Sequence, residues 1–373
     1  MKGALASSRS GFDAGAAPPH GRRLRLMIVD DSMVARAVLA RMIEADGGFE
    51  IAAVAGTAED AISALGHIRV DVILLDLEMP GAGGLKSIPG ILAAARGAQV
   101  LIVSSLAEAG AEGTVAALAL GAADTLPKPG TGRFNGRFSE VLLAKLRALG
   151  PAEFAPRYAS ADQGSATRAM VRGPSMADAP LGLIAIGAST GGIHALASLF
   201  EALPARIGVP ILVTQHLPAP FMTVFARQLA TASGRPAMVG EDGMRLSPDQ
   251  IVIAPGDAHL NLEQAGDRLI VRLSNQKMPS GCLPSVDPML ATAGAVLGPR
   301  ALGIMLTGMG RDGAEGATRL IASGGSVIAQ DEQSSAVWGM PRAVVEAGLA
   351  CAVLPPVKIA RRIALRAEET LCR

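Results

Sequence analysis

The chain has 373 residues, 50% of them hydrophobic and 3% aromatic, and a formal net charge of +1. This length predicts two or three domains, and the apolar content excludes global disorder. Cores built from Ala, Val, Ile and Leu suit parallel strands covered by helices. A net charge near zero, without long runs of like charge, argues against a nucleic-acid partner.

The first 23 residues contain no long apolar segment, so they predict a flexible N-terminal extension over 1–23 and no signal peptide. No stretch of about 20 uncharged apolar residues occurs, so the protein is not expected to be membrane-inserted. Cys282, Cys351 and Cys372 are far apart and odd in number. They predict no disulfide framework and favour a reducing, cytoplasmic location.

Residues 24–148 alternate strand-like and helix-like runs, the pattern of an α/β domain with a parallel sheet. Helical patterns such as "SMVARAVLARMIEA" separate the strand candidates. The predicted strands are "LRLMIVD", "FEIAAVAG", "VDVILLD", "AQVLIVSS" and "ADTLPKP".

Polar residues follow four of these strands: Asp30 and Asp31, then Asp76, Ser104 and Lys128. The carboxyl ends of parallel strands line one crevice, so these groups should converge there. Three close carboxylates repel unless a cation lies among them, and oxygen ligands of this kind suit Mg²⁺. An aspartate in such a site can attack phosphorus. A single Asp could merely cap a helix, but the ordered set argues against that alternative.

This arrangement resembles the receiver domains of bacterial response regulators, over residues 24–148. The resemblance implies a flavodoxin-like, five-stranded parallel sheet with Asp76 as the phosphoacceptor. It further implies a switch pair and a set of Mg²⁺-binding residues. The switch residues are Ser104 and Lys128, and the metal site comprises Asp31, Asp76 and the backbone carbonyl of Glu78, with Asp30 nearby.

Two positions depart from the receiver pattern. After "EMP" the chain has "GAGG" where many relatives carry a Met-Asp-Gly turn. Thr125 stands where many receivers place an aromatic switch residue. Neither feature is needed for phosphorylation, so the departures concern how the signal is transmitted.

Residues 149–180 are rich in Ala, Ser, Gly and Pro without an apolar period, which predicts a linker. Residues 181–373 again alternate strands and helices and predict a second α/β domain, doubly wound and mostly parallel. The predicted strands here are "LGLIAIG", "PILVTQH", "QIVIAPG", "RLIVRLS", "ALGIMLTG", "SVIAQD" and "CAVLP".

"IGASTGG" matches the G-x-S-x-G pattern, with Ser189 at its centre and a predicted strand and helix on either side. This is the context of a nucleophile elbow. The following helix N-terminus also suits a phosphate, so the motif by itself leaves both interpretations open. A nucleotide-binding module would require an acidic residue about 20 residues further on. The next strand instead ends in His216.

A serine nucleophile needs a base and an orienting carboxylate. His216 ends a strong strand at the expected sheet edge, which favours it over the other histidines: His20, His67, His194 and His259. Asp312 lies in a glycine-rich loop after another apolar strand. Its rivals are Asp257, Asp331 and, the strongest, Asp287. The order Ser, His, Asp differs from that of the α/β-hydrolases.

The whole chain resembles the chemotaxis response regulator protein-glutamate methylesterases, the CheB family. The motifs carrying the resemblance are "IGASTGG", "VTQHLP", "PSVDPML", "GIMLTGMGRDGAEG" and "AQDEQSSAVWGMPRAV". It implies Ser189 as nucleophile, His216 as general base and acid, Asp312 as orienting carboxylate, and the Met309 amide in the oxyanion hole. Relatives often carry a basic residue and Arg before "PSVD", where this chain has Cys282 and Leu283.

The family resemblance also implies an activity and its partners. The expected reaction is demethylation of glutamate γ-methyl esters, and deamidation of glutamines, on methyl-accepting chemotaxis receptors. The expected phosphodonor is the histidine kinase CheA. Mg²⁺ would serve phosphorylation of the receiver, and ester hydrolysis would need no cofactor.

Overall fold

The computed structural model describes residues 22–79, 83–104, 108–129, 136–151 and 176–371. The predicted extension over 1–23 and the linker over 149–180 therefore lie largely outside the described residues. The described chain forms two parallel sheets joined by helices, which confirms the predicted α/β class.

The N-terminal sheet has five parallel strands in the order β2-β1-β3-β4-β5, the flavodoxin-like order. Its strands are β1 (Leu24–Val29), β2 (Phe49–Ala55), β3 (Val72–Leu75), β4 (Gln99–Ser104) and β5 (Asp124–Pro127). The helices between and after them are α1 (Met33–Glu44), α2 (Ala58–Leu65), α3 (Gly83–Ala95), α4 (Glu108–Ala119) and α5 (Gly136–Leu149).

Short apolar runs form these strands because both faces of the sheet are covered. All four residues of β3 are buried, as expected for a central parallel strand. Side-chain caps begin the first two helices: Ser32 accepts from the Ala35 amide and Thr57 from the Asp60 amide. Both helices begin within a few residues of the preceding strand, and the parallel pairing of β1 and β2 places the ends of these strands at one edge.

The C-terminal sheet has seven parallel strands in the order β14-β13-β12-β6-β7-β9-β8. The strands of this half are β6 (Leu183–Ala188), β7 (Ile211–Gln215), β8 (Ala237–Val239), β9 (Ile251–Ile253), β10 (His259–Ala265), β11 (Arg268–Ser274), β12 (Ala301–Met305), β13 (Ser326–Gln330) and β14 (Ala352–Leu354). Its helices are α6 (Gly192–Ala202), α7 (Ala219–Ser233), α8 (Val286–Leu297), α9 (Ala314–Ala322), α10 (Met340–Glu346) and α11 (Pro356–Leu371). The chain leaves β6 toward β7 and returns to β12 on the other side, so the strand order reverses between β6 and β12.

The hairpin of β10 and β11 differs from the prediction. "RLIVRLS" is a strand, as predicted, but it pairs antiparallel with β10 outside the main sheet. Neither β10 nor β8 was predicted. In β10 the buried Leu260 and Leu262 alternate with more exposed residues, a period-two signal overlooked in the sequence. β8 is a three-residue strand at the edge of the sheet, and none of its residues is fully buried.

The two domains pack directly against each other. Helix α4 of the N-terminal domain contacts α6 and α7 of the C-terminal domain. One continuous cluster of buried apolar side chains includes residues from both domains. In the ranges that the structure describes, no helix is both long and apolar enough to cross a membrane.

Candidate active site

Ser189, His216 and Asp312 follow three strands that are neighbours in the sheet. Ser189 comes directly after β6, His216 directly after β7, and Asp312 lies in the loop after β12. Because parallel strands present their carboxyl ends at one edge, the three residues share the crevice where the strand order reverses. In open α/β sheets this is where ligands bind.

A hydrogen bond of 2.9 Å joins His216 Nε2 and Asp312 Oδ2. The buried carboxylate also accepts from Ser285 Oγ at 2.5 Å and from the Val286 amide at 2.7 Å. Burial alone would raise the pKa of Asp312, but His216, Ser285 and Val286 together lower it to about 2. Asp312 is therefore ionised at neutral pH and able to hold the imidazole in one orientation.

The ring orientation of His216 determines which nitrogen can act as the base. Nε2 faces Asp312, so Nδ1 is the nitrogen left for the Ser189 hydroxyl. Within the described ranges the Ser189 hydroxyl makes no hydrogen bond, so the serine–histidine contact is open in this state. Contacts of this type often tighten only when substrate binds.

Loops from both sides hold the Ser189 backbone. Its amide donates to the Thr307 carbonyl at 3.0 Å, and its carbonyl accepts from Gln215 Nε2 at 2.9 Å. A Cβ at Gly308 would lie 2.8 Å from the Cβ of Ser189, so only glycine permits this approach. Gly191 follows with a φ of 77°, which allows the sharp turn into α6.

The loop that carries Met309 passes close to Ser189, because the neighbouring Gly308 lies against the Ser189 side chain. Among the described residues, neither the Met309 amide nor the Thr190 amide has a hydrogen-bond partner. Thr190 was missed in the sequence, although the residue after the nucleophile commonly supplies such a donor in G-x-S-x-G enzymes. Both N–H groups are therefore candidates for the oxyanion hole.

The rival carboxylates are engaged elsewhere. Asp287 accepts from the Gly316 amide at 2.7 Å, and burial together with the charge of Asp312 raises its pKa to about 6. Asp257 is exposed, and Asp331 accepts from Ser334. Of the four candidates, Asp312 is the one hydrogen-bonded to His216.

Two further residues, Ser285 and His259, belong to this network and were given no role from the sequence. His259 is buried, and its Nδ1 accepts from the Ser285 amide at 2.9 Å while its Nε2 donates to the Gln276 carbonyl at 2.8 Å. The two bonds determine the neutral tautomer of His259. A chain of contacts thus runs from His259 through Ser285 to Asp312.

Cys282 also lies beside this network. Its Sγ, a ring nitrogen of His216 and a carboxylate oxygen of Asp312 lie within 4.8 Å of one another. Burial and the charge of Asp312 raise the pKa of the Cys282 thiol to about 11. Cys282 is therefore a neutral thiol at physiological pH, not a competing thiolate nucleophile.

The N-terminal domain gathers its predicted groups at the equivalent sheet edge. Oxygens of Asp30, Asp31 and Asp76 lie within 4.8 Å of one another. Lys128 Nζ contacts Asp30 Oδ2 at 2.9 Å and Asp76 Oδ2 at 2.6 Å. Glu78 is exposed, and its amide donates to Asp76 Oδ1 at 3.2 Å. Three oxygen donors in this arrangement fit the ligand preference of Mg²⁺.

Burial dominates the electrostatics of this acidic pocket. It raises the pKa of Asp76, and Lys128 offsets the effect only in part. Burial would lower the pKa of Lys128, but its hydrogen bonds to Asp76 and Asp30 outweigh this and raise it. Asp76 and Lys128 therefore form a partly buried ion pair within the acidic cluster.

Ser104 is predicted to contact the phosphoryl group together with Lys128, but in this structure it contacts Thr114 instead. Its hydroxyl hydrogen-bonds Thr114 on α4 at 2.6 Å, and both side chains are buried. Thr125, which stands where many receivers carry an aromatic residue, is also buried. Its hydroxyl has no hydrogen-bond partner among the described residues. Of the two predicted switch residues, Lys128 contacts Asp76, whereas Ser104 contacts Thr114.

The N-terminal domain closes over the Ser189 loop. Thr190 Oγ1 donates to Asp124 Oδ2 at 2.5 Å, and the Gly191 amide donates to the Ala123 carbonyl at 2.6 Å. The space between Leu118, Asp124 and Ser189 is about 10 Å³, room for roughly one water molecule. The N-terminal domain therefore covers this side of the Ser189 loop.

Comparison with models of known protein families identifies a match for each of the two domains. The model described as "Response regulator receiver domain" matches residues 26–133, and that described as "CheB methylesterase" matches residues 184–363. The chain is thus a response regulator with an α/β output domain. It belongs to the CheB methylesterase family, as its relatives show.

Two relatives carry the name protein-glutamate methylesterase/protein-glutamine glutaminase. One, from Paramagnetospirillum magneticum, is 39% identical over 90% of this chain and 94% of that protein. Another, from Caulobacter vibrioides, is 41% identical over 92% and 99% respectively. Among solved structures, the Thermotoga maritima CheB methylesterase catalytic domain is 35% identical, with a TM-score of 0.49 over 50% of this chain and 99% of that one.

Proposed function

We propose that this protein hydrolyses γ-glutamyl methyl esters on methyl-accepting chemotaxis receptors and thereby adjusts sensory adaptation. The observation that carries the proposal is the His216–Asp312 hydrogen bond beside Ser189, at the point where the strand order reverses. The names of the relatives support the same substrate chemistry.

In the proposed reaction, Ser189 Oγ attacks the ester carbonyl while His216 Nδ1 takes its proton. Asp312 stabilises the imidazolium that results. The Met309 and Thr190 amides would donate to the oxyanion, each contributing about 3 kcal/mol by analogy with other acyl transfers. His216 then protonates the leaving methoxide, methanol departs, and a glutamyl ester forms on Ser189.

Water completes the cycle. His216 Nδ1 removes a proton from the water molecule as it attacks the glutamyl ester, and returns that proton to Ser189 as glutamate leaves. A glutamine side chain would form the same acyl intermediate with release of ammonia. This accounts for the glutaminase activity in the names of the relatives.

The N-terminal domain is proposed to control this reaction through phosphorylation of Asp76, with the histidine kinase CheA as donor. Asp31, Asp76 and the Glu78 carbonyl would hold Mg²⁺, with Asp30 nearby, and the ion would neutralise charge during phosphoryl transfer. Lys128, already at Asp76, would pair with the new phosphoryl group. Ser104 would leave Thr114 to do the same.

The domain boundaries remain part of the proposal. The sheets support a receiver over 24–148 and a catalytic domain over 181–373. Arg22 pairs with Asp71, and the Ala177 amide donates to Ser326 Oγ, so ordered contacts begin slightly before each boundary. A cytoplasmic location matches the proposed partners.

The test is methanol release from methylated receptor membranes. Ser189→Ala should abolish release, because no other described hydroxyl occupies the nucleophile position. Ser323→Ala, which removes an exposed hydroxyl at the end of α9, is the matched control and should behave as wild type. Undiminished release by Ser189→Ala would overturn the assignment.

A further inference from the structure

The strongest unused feature is the thiol beside the catalytic pair. Cys282 comes from the loop before α8, His216 from the end of β7, and Asp312 from the loop after β12. Their sulfur, nitrogen and oxygen atoms converge within 4.8 Å. Nothing in the proposed hydrolysis uses the thiol.

These three ligand types identify the kind of ion that would bind. A thiolate, an imidazole and a carboxylate with one open position form a set typical of Zn²⁺. The other cluster among the described residues, Asp30 with Asp31 and Asp76, is built of oxygen alone and suits Mg²⁺. The two sites should therefore select different ions.

The surroundings of the cluster are already those of a metal site. Ser285 Oγ and the Val286 amide both donate to Asp312, so the carboxylate is already held in one orientation without the ion. The Cys282 amide donates to Ser280 Oγ, which holds the turn that carries the thiol. Zn²⁺ bonds to such ligands are about 2.0–2.3 Å long, so ligand atoms already within 4.8 Å of one another are close to bonding positions.

We propose that His216, Cys282 and Asp312 form a Zn²⁺ site whose occupation inhibits this protein. Zn²⁺ would take Nε2 of His216, the nitrogen now facing Asp312. The ring proton would then reside on Nδ1, and the Cys282 proton would pass to solvent, so one proton is released per ion. A protonated Nδ1 cannot accept the Ser189 proton, so the base is lost.

The binding test uses Co²⁺ as a spectroscopic substitute for Zn²⁺, with the full chain and excess Mg²⁺ to occupy the oxygen site. Wild type should show a thiolate-to-cobalt absorption band, displaced by Zn²⁺. Cys282→Ser should lose the band and weaken Zn²⁺ binding by more than about 100-fold, since even outer-shell changes cost tenfold or more. Cys351→Ser, which alters a half-buried thiol elsewhere, should keep it.

The inhibition test rests on the proposed function. Each variant is compared with its own rate after treatment with a chelator. Zn²⁺ should stop methanol release by wild type and Cys351→Ser but not by Cys282→Ser. Absence of the cobalt band in wild type, its persistence in Cys282→Ser, or equal Zn²⁺ sensitivity of the two cysteine variants would overturn the site.

The proposed hydrolysis and the proposed Zn²⁺ site can each be overturned without affecting the other. A wild type without any methanol release would contradict the proposed hydrolysis, and the cobalt band would still test the site. Cys282→Ala serves as a second variant, and thermal unfolding of both Cys282 variants verifies that the fold is intact. A lost band in a folded Cys282→Ala supports the site.

Discussion

The orientation of Asp312 depends on Ser285, which contacts it directly, and on His259, which contacts Ser285. Ser285 donates to Asp312 Oδ1, and His259 holds the Ser285 amide through its unprotonated Nδ1. Both Ser285 and His259 are almost completely buried, so water cannot replace either contact. Ser285 and His259 are therefore positioning residues for the carboxylate.

Ser285→Ala tests this positioning role. We expect kcat to fall roughly ten- to a hundredfold, because a hydrogen bond to a charged group contributes about 1.5–3 kcal/mol. Loss of a donor raises the pKa of Asp312 from about 2, so acid inactivation should begin at higher pH than in wild type. The pH profile of methanol release measures both effects.

Ser285 also caps α8, since its Oγ accepts from the Asp287 amide. The variant should therefore lose about 1 kcal/mol of stability as well. Thr57→Ala removes a comparable cap from α2 and provides the matched control. It should lower the melting temperature without altering the pH profile. An unshifted profile in Ser285→Ala would show that the hydroxyl is only structural.

At the scale of elements, we expect the contact between the start of β5 and the turn before α6 to control access to Ser189. Asp124 is buried there and accepts from Thr190 Oγ1 and from Lys145 Nζ. The nearby ion pair of Glu112 and Arg227 joins α4 to α7, but its side chains are 60% and 65% exposed. Exposed pairs of this kind contribute little.

Asp124→Ala should therefore raise methanol release in the absence of a phosphodonor. A buried hydrogen bond to a charged group contributes about 1.5–3 kcal/mol, so the increase could reach roughly tenfold or more. Glu112→Ala breaks the exposed contact at the same interface and should change the rate less than twofold. Equal basal rates in Asp124→Ala and wild type would argue against this contact as the restraint.

At the scale of the whole molecule, the two chemical sites lie at opposite ends of one strand. Lys128, which follows β5, contacts Asp76, whereas Asp124, which begins β5, contacts Thr190 beside Ser189. Asp124 and Lys128 are four positions apart in the chain, roughly 13 Å along an extended strand. A second connection runs from Ser104 through Thr114 to α4 at the domain interface.

Asp76→Asn tests whether phosphorylation acts across this distance. A small phosphodonor should accelerate methanol release by wild type, whereas the ratio of rates with and without donor should be one in the variant. Asp60→Asn alters an exposed carboxylate on α2 and should respond as wild type does. Full activation of Asp76→Asn would place the phosphoacceptor elsewhere.

Much of this architecture follows from local sequence patterns. Apolar runs that alternate with amphipathic segments predicted all five strands of the first sheet and six of the seven strands in the second. The missed strand is β8, a short edge strand whose residues are only partly buried. The placement of β11 in a hairpin was missed because its partner β10 is only half apolar.

By itself, the sequence determined the α/β class and placed Asp76, Ser189 and His216 at strand ends, because parallel strands necessarily share a carboxyl edge. Only the tertiary structure decided which of four aspartates meets His216, and that Cys282 joins them. It also decided that Asp124 closes over Thr190. These contacts join segments far apart in the chain, and loop paths and domain packing, which carry no local period, bring them together.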